Sequence, residues 1–281
     1  MDKQELIFGA IGYTILYNSY LFSDYEILLI YDSHDEQVKQ CNTNKENDIQ
    51  INNYLELLLE KNYVIMIEEV PINPDKKTLV GLWNDSVHVK NIRYFFEKNN
   101  NNINLIPFDI RFELIDSFDE TDYNTQTLKK YVHNMYKFFI FKHPFFKDLL
   151  LYSKSIDVSF IKNYYITLLI KFHKLIMTHK EDLNKQIQHI NNNKELIDNI
   201  NNLLSDIMEF YVILRLYNDM QNNKKIVIYG GLIHINNIKK ILIKYYKFQI
   251  KEEYGNTDYN LHIGSIKNHI NENQCIIKPY F

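Results

Sequence analysis

Acidic and histidine side chains follow the apolar runs of this chain, and their types could support proton transfer or metal binding. Asp32 and His34 come directly after the run 26–31 (EILLIY). In an extended backbone, residues two apart point the same way, so this carboxylate and imidazole could share one metal ion or one water molecule. The alternative is a polar turn that caps the next helix, a role that Asp and Ser fill well.

Two further carboxylates, Glu68 and Glu69, end a second apolar run at 63–67 and are followed by Pro71. A carboxylate at the end of a buried strand is costly unless it is paired or bound to a metal, which makes one of the two a candidate site residue. The two side chains point to opposite faces if the strand continues, so the sequence leaves open which one enters the site. Two exposed residues in a turn are an equally good interpretation.

Two arginines are candidates for binding an anionic group of a substrate. Arg111 and Asp109 share one face after the third apolar run, 104–108, and could form a buried ion pair or a bidentate anion clamp. A structural salt bridge in a loop is the competing interpretation. Arg215 continues the apolar stripe of a helix, where its guanidinium needs a carboxylate partner or extends into solvent at the helix end.

His234 lies in the stretch 224–248, which reads as a buried strand, a Gly230-Gly231 turn and a helix. The helix is indicated by apolar residues at the spacing i, i+3, i+4, i+7, namely Ile238, Ile241, Leu242 and Tyr245. A polar residue just past the carboxyl end of a buried strand lies where open α/β sheets place their ligands. The alternative is a turn histidine that has no role.

The elements that must position these side chains alternate along the chain. Four apolar strands are predicted, at 26–31, 63–67, 104–108 and 226–229. Helices at 54–61 and 83–98 separate the first three, and this alternation predicts an α/β fold with a mostly parallel central sheet flanked by helices. The carboxyl ends of parallel strands lie along one edge of a sheet, so the polar clusters are expected to converge there.

The chain between the third and fourth main strands is predicted to be helical. Three amphipathic or aromatic-rich segments fall there, at 128–142, 160–176 and 196–217. No Gly-, Pro- or Ser-rich linker isolates them, so we expect one α/β domain over 1–281 with an α-helical insertion over 125–222. The run 6–21 predicts a strand-containing N-terminus, and further strands are predicted near 259–263 and at 274–278.

Composition excludes several classes of protein. The net charge is −3, which disfavours a general nucleic-acid-binding surface. Only two cysteines are present, far apart in sequence, which favours a reducing compartment over a disulfide framework. No signal peptide or membrane-spanning run stands out, so we expect an intracellular protein that is not secreted. The heavy use of Asn, Ile, Lys and Tyr is typical of an AT-rich genome, such as those of large DNA viruses and some protists.

The ordered set of motifs resembles the superfamily of erythromycin-esterase-like, ChaN-like and TraB/Tiki proteins. That set is a strand followed by Asp32-x-His34, a strand followed by Glu68, a helical middle, and a strand followed by Gly230-Gly231-x-x-His234. Asp32 stands where a Glu is usual. The closer similarity is to uncharacterised proteins of giant DNA viruses, through the segments 108–111 (FDIR) and 209–215 (EFYVILR).

The resemblance implies a hydrolase with a His/carboxylate site at the carboxyl edge of the sheet. In that reading His34, Glu68 and His234 bind a divalent ion such as zinc, manganese or cobalt, or position a water molecule. Asp32 or Glu68 is the general base, and the substrate is a small molecule or a peptide. The alternative is a non-catalytic viral or host-interaction protein on an eroded hydrolase-like fold, in the host cytoplasm or the virion.

Overall fold

The structure is a computed structural model that describes residues 6–19, 25–32, 49–71, 87–111, 127–139, 159–186, 193–222, 225–257, 275–279 and 281. The chain divides into two compact units. The first combines Met1–Phe108 with Asp219–Phe281, and the second is Asp109–Asn218. The prediction of one α/β domain with an insertion over 125–222 stays a prediction.

The first unit contains a six-stranded sheet. Its strands are β2 (Gly12–Asn18), β3 (Tyr25–Asp32), β5 (Val64–Ile67), β6 (Leu105–Pro107), β7 (Ile226–Gly231) and β8 (Gln249–Gly255). Their order across the sheet is β6-β5-β7-β3-β2-β8. The strands β6, β5, β7 and β3 are parallel, and β2 runs antiparallel to both of its neighbours. The predicted α/β fold with a largely parallel sheet is therefore confirmed.

A smaller, three-stranded sheet belongs to the same unit. Its central strand β1 (Leu6–Phe8) pairs in parallel with β4 (Ile49–Gln50) and antiparallel with β9 (Cys275–Ile277). The predicted N-terminal and C-terminal strands thus lie side by side. The strand predicted near 259–263 falls outside the described residues, whereas β8 was not predicted.

Helices of the first unit cover the two faces of the large sheet. Side chains of α1 (Ile51–Glu60) and α2 (Val87–Lys98) share a buried apolar cluster with alternate strand residues, among them Ile30, Ile67 and Tyr229. Helix α6 (Leu232–Tyr246) packs against β3 and β7. Its Lys239 lies over the ring of Tyr31, which alternates with Ile30 along β3, so α6 covers the opposite face.

The second unit, by itself, is helical over its described residues. It contains α3 (Leu128–Phe139), α4 (Ser159–Thr178), a 3₁₀ helix (Lys180–Asp182) and most of α5 (Lys194–Gln221). Aromatic rings also pack together in this unit: the ring centroids of Phe139 and Phe172 are 4.9 Å apart, and those of Tyr164 and Phe210 are 5.4 Å apart. No described helix in either unit combines the length and the apolar character that crossing a membrane requires.

Candidate functional site

The carboxyl edge of the large sheet is aligned across three parallel strands. β7 lies between β5 and β3, although it comes last of the three in the chain. The ladder continues one residue beyond β5 and β6: the Glu68 N–H donates to the Tyr229 carbonyl (3.0 Å), and the Phe108 N–H donates to the Ile67 carbonyl (2.9 Å). The residues that end these strands are therefore fixed by backbone hydrogen bonds, which is a rigid base for a site.

Glu68 and His234 meet at this edge. Glu68 Oε2 accepts a hydrogen bond from the Gly231 N–H at 2.7 Å, and Glu68 Oε1 lies 3.6 Å from His234 Nε2. Both side chains are nearly buried, with 8% of Glu68 and 12% of His234 exposed. Gly231 is the N-cap of α6 and has no side chain to satisfy a backbone donor, so the Glu68 carboxylate does this from another strand. A carboxylate is also favoured there by the helix dipole.

Gly230 provides the space that the Glu68 carboxylate occupies. A Cβ atom at Gly230 would lie 2.8 Å from Glu68 Oε2, 3.0 Å from Glu68 Cβ and 3.1 Å from Phe108 Cζ. The first of these distances is too short for a Cβ atom and the other two are tight, so a side chain at this position would require the Glu68 carboxylate to shift. The first glycine of the pair is therefore required by close approach.

A second group of polar side chains lies on the face of the sheet that α2 covers. Its members are Asp32, Glu69, Arg93 and Tyr229. The Tyr229 hydroxyl donates to the Asp32 carboxylate, and Arg93 Nε lies 3.4 Å from Glu69 Oε2. Asp32, Tyr229 and Glu69 are buried. Burial first, and then the charge and hydrogen bond of Asp32, raise the pKa of Tyr229 well above its usual value near 10.

Helix α6, which carries His234, is tied to the edge of the sheet by a third set of contacts. Lys239 Nζ donates to Glu253 Oε2 (3.1 Å) and to the Thr257 carbonyl (2.9 Å). The side chain of Asn236 donates to the same carbonyl, and Thr14 Oγ1 donates to Glu253 Oε2 (2.9 Å). Because two turns of the helix are held in this way, the position of His234 is set by buried polar contacts as well as by apolar packing.

The structure brings some of the predicted site residues together and places others elsewhere. Glu68 Oε1 and His234 Nε2 lie 3.6 Å apart. Asp32 ends β3, but its carboxylate accepts a hydrogen bond from Tyr229 on the face of the sheet that α2 covers. Successive residues of a strand point to opposite faces, so the last residue of a strand can point away from His234. The sequence left open which glutamate faces His234, and the contacts identify Glu68. His34 lies outside the described residues.

The predicted anion-binding residues belong to the second unit. The Arg111 side chain donates two hydrogen bonds to Asp109, Nε to Oδ1 at 2.7 Å and Nη2 to Oδ2 at 2.8 Å. The two side chains therefore form an ion pair in which 28% of the Arg111 side chain is exposed. Arg215 lies half-buried on α5. The role of all three residues in binding a substrate stays a prediction.

The donor set for a metal ion is incomplete in the part of the chain that the structure describes. No group of three or more His, Cys, Asp or Glu side chains in that part is arranged to hold a metal. Glu68 and His234 supply two of the three predicted ligands, and the third, His34, lies outside the described residues. The predicted divalent ion therefore stays a prediction.

Sequence reasoning did not identify Tyr229 or Arg93. Tyr229 was read as a core residue because it ends an apolar strand. A signal for Arg93 existed: it lies three residues before the buried Phe96 and beside the buried Ile92, so it extends the apolar stripe of α2 as Arg215 extends that of α5. A guanidinium in such a place needs a carboxylate, and Glu69 is that partner.

Comparison with known proteins adds no family to this description. No protein-family model matches the chain, and neither a curated protein nor a solved structure matches it. The resemblance to the erythromycin-esterase-like, ChaN-like and TraB/Tiki superfamily therefore rests on the motifs alone.

Proposed function

We propose that this protein is a hydrolase in which Glu68 and His234 carry out the proton transfers, with an ester or peptide bond as the substrate class. The observation that carries the proposal is the 3.6 Å separation of Glu68 Oε1 and His234 Nε2 at the carboxyl edge of a largely parallel sheet. Open α/β sheets bind their ligands at this edge. The pair is too far apart for a direct hydrogen bond, yet one water molecule at about 2.8 Å from each atom fits the separation.

Each residue of the pair has a defined step. Glu68 Oε1 takes a proton from the water as the water oxygen bonds to the carbonyl carbon of the substrate. Protonated His234 gives its proton to the leaving alcohol or amine as the bond to that carbon breaks. Proton exchange with solvent then restores both groups. The N-terminus of α6 favours the negative charge that develops on the carbonyl oxygen.

The test is a substrate screen on the full chain. Nitrophenyl esters of increasing acyl length and fluorogenic peptides are offered to the parent, to Glu68→Gln and to His234→Gln. We expect turnover by the parent and a loss of about 100-fold or more in kcat for each variant, the size typical of removing a general acid or base. No turnover of either substrate class by the parent, with or without added zinc, manganese or cobalt, contradicts the proposal.

A matched control exists elsewhere in the chain. His179 also faces a carboxylate, that of Asp182, at 3.7 Å, and 8% of its side chain is exposed. His179→Gln removes an imidazole of the same burial and pairing from the second unit. We expect its turnover to stay within about two-fold of the parent, because no step of the proposed mechanism uses it.

The untagged parent also tests the predicted metal. Mass spectrometry of the purified protein should find a near-stoichiometric divalent ion that is lost in both His34→Ala and His234→Ala if these residues are ligands. A metal-free protein that still turns over substrate assigns the chemistry to the Glu68–His234 pair alone.

One observation favours the alternative, a non-catalytic interaction protein on the same fold. The Glu68 carboxylate satisfies the backbone donor of the α6 N-cap, which is a structural role and needs no substrate. In that case Glu68→Gln weakens folding, and the parent has no hydrolytic activity for the variant to lose.

A further inference from the structure

The direction in which Glu68 points depends on its neighbour, Glu69. The two glutamates follow β5 directly, and their side chains contact different elements: Glu68 reaches Gly231 and His234, whereas Glu69 reaches Arg93 on α2. The two helices lie on opposite faces of the sheet. The two carboxylates therefore lie on opposite faces of the sheet, each with its own contact.

The backbone between the two glutamates is tightly constrained. The Glu69 N–H donates to the Ile67 carbonyl at 2.8 Å, which closes a turn centred on Glu68, and the Glu68 N–H donates to Tyr229. In so short a turn, a change in the backbone dihedrals that moves one Cα–Cβ bond to a new face also moves that of its neighbour. The position of Glu68 is thus coupled to that of Glu69.

The contact that anchors Glu69 is an ion pair in a largely buried place. Only 6% of the Glu69 side chain and 12% of the Arg93 side chain are exposed. A buried carboxylate that loses a cationic neighbour is driven towards solvent or towards taking up a proton, because an unbalanced charge is costly in the interior. Asp32 lies near the same tyrosine hydroxyl as Glu69 and adds like charge, so moving outward is the favoured response.

We propose that Arg93 is a positioning residue for Glu68: it holds Glu69 on the α2 face, and this keeps the Glu68 carboxylate in the space at Gly230. The effect on turnover rests on the proposed function, whereas the effect on the Glu68–His234 contact does not. Arg93 touches neither the substrate nor the reacting atoms in this arrangement. It acts through Glu69 and the turn.

The test observes the imidazole of His234 directly. Two-dimensional NMR of the full chain with isotope-labelled histidine gives one signal set for each imidazole, and His234→Gln assigns that of His234 by its disappearance. Glu68→Gln defines where the signal moves when the carboxylate is lost. We expect Arg93→Gln to move it in the same direction and to lower kcat at least ten-fold, with KM within about two-fold of the parent.

Two further variants make the result specific. Glu69→Gln removes the carboxylate that Arg93 holds, so it tests the same contact from its other end, and it should move the His234 signal in the same way. Lys98→Gln removes another cation of α2, one whose partner Glu56 is 2.6 Å away in an exposed pair. It should leave both the signal and kcat unchanged.

The outcomes separate the two proposals. An unmoved His234 signal in folded Glu69→Gln overturns the positioning role, whatever the enzyme activity. A moved signal in a parent that hydrolyses nothing supports the positioning role and contradicts the proposed function. A signal that moves equally in Lys98→Gln shows a general response of α2 and also overturns the specific role of Arg93.

Discussion

Two histidine–carboxylate pairs among the described residues have nearly the same separation and different construction. Glu68 and His234 are 3.6 Å apart and come from different elements of a sheet edge. His179 and Asp182 are 3.7 Å apart and lie three residues from each other, where α4 ends and the 3₁₀ helix begins. Distance alone therefore does not distinguish a site from a local turn.

The surroundings of the two pairs differ in their charge. Asp182 also contacts Lys185, and the hydrogen bond from that ammonium, followed by its charge and that of His179, lowers the pKa of Asp182. The pair in the second unit is thus a neutralised cluster built by neighbours in sequence. At the sheet edge, by contrast, the negative charges of Asp32, Glu69 and Glu68 all act on Tyr229, and long-range folding is needed to bring them together. Such a concentration of like charge is typical of functional sites.

The largest difference between the two pairs is expected when a side chain fills the space at Gly230. In Gly230→Ala the new methyl group lies too close to Glu68 Oε2 and packs tightly against the Phe108 ring, so the carboxylate must shift from its place beside His234. We expect kcat/KM to fall about 100-fold and the free energy of unfolding to fall by about 1–3 kcal/mol, as in other overpacked sites. Steady-state kinetics and urea unfolding measure the two effects. Wild-type turnover by this variant would show that the observed contact is not used.

The next largest effect is expected from Tyr229→Phe, which removes the hydrogen bond to Asp32. At neutral pH the variant should lose about 1–3 kcal/mol of unfolding free energy, because Asp32 remains buried without that donor. Since the pKa of folded Tyr229 is raised above the usual 10, its contribution to stability is present below about pH 10 and is lost as the pH rises further.

Alkaline unfolding measures that second property. Tyr13, Tyr25 and Tyr54 have pKa values raised by burial in the same unit, so the parent should lose stability steeply above about pH 10. The loss should be shallower in Tyr229→Phe than in the parent. Identical slopes in the two proteins would contradict a buried, neutral Tyr229.

The smallest effect is expected in the second unit. The pKa of Asp182 is lowered in the folded protein, so its contribution to stability is present above the usual pKa of 3.8 and is lost as the pH falls below it. Asp182→Asn should therefore make unfolding less dependent on pH in this acid range and leave turnover unchanged. A loss of turnover would mean that this pair is more than a local cluster.

Much of the fold follows from the sequence because its apolar runs are long and regular. The strand at 226–229 and the helix that carries Ile238 and Leu242 are found as predicted, since periodicity identifies a buried strand and an amphipathic helix. β8 was missed because its residues are exposed and three of them, Lys251, Glu252 and Glu253, are charged. It pairs with β2 at the edge of the sheet, where no apolar pattern is required.

The site was predictable only in its location. The rule that strand ends converge at one edge of the sheet identified Glu68 and His234. Asp32 instead points to the face that α2 covers. No sequence pattern shows which face the last residue of a strand takes. The space at Gly230 and the pairing of Arg93 with Glu69 depend on distances between segments that are far apart in the chain. These features come from tertiary packing.

The measurement that tests the central claim most directly is a double-mutant cycle in kcat/KM on the best ester or peptide substrate. The parent, Glu68→Gln, His234→Gln and the double variant are compared at one pH. If the two residues act as a unit, the double variant loses little more than either single variant, about 100-fold in total. Losses that multiply, or single variants as active as the parent, would contradict the assignment of the Glu68–His234 pair as the catalytic centre.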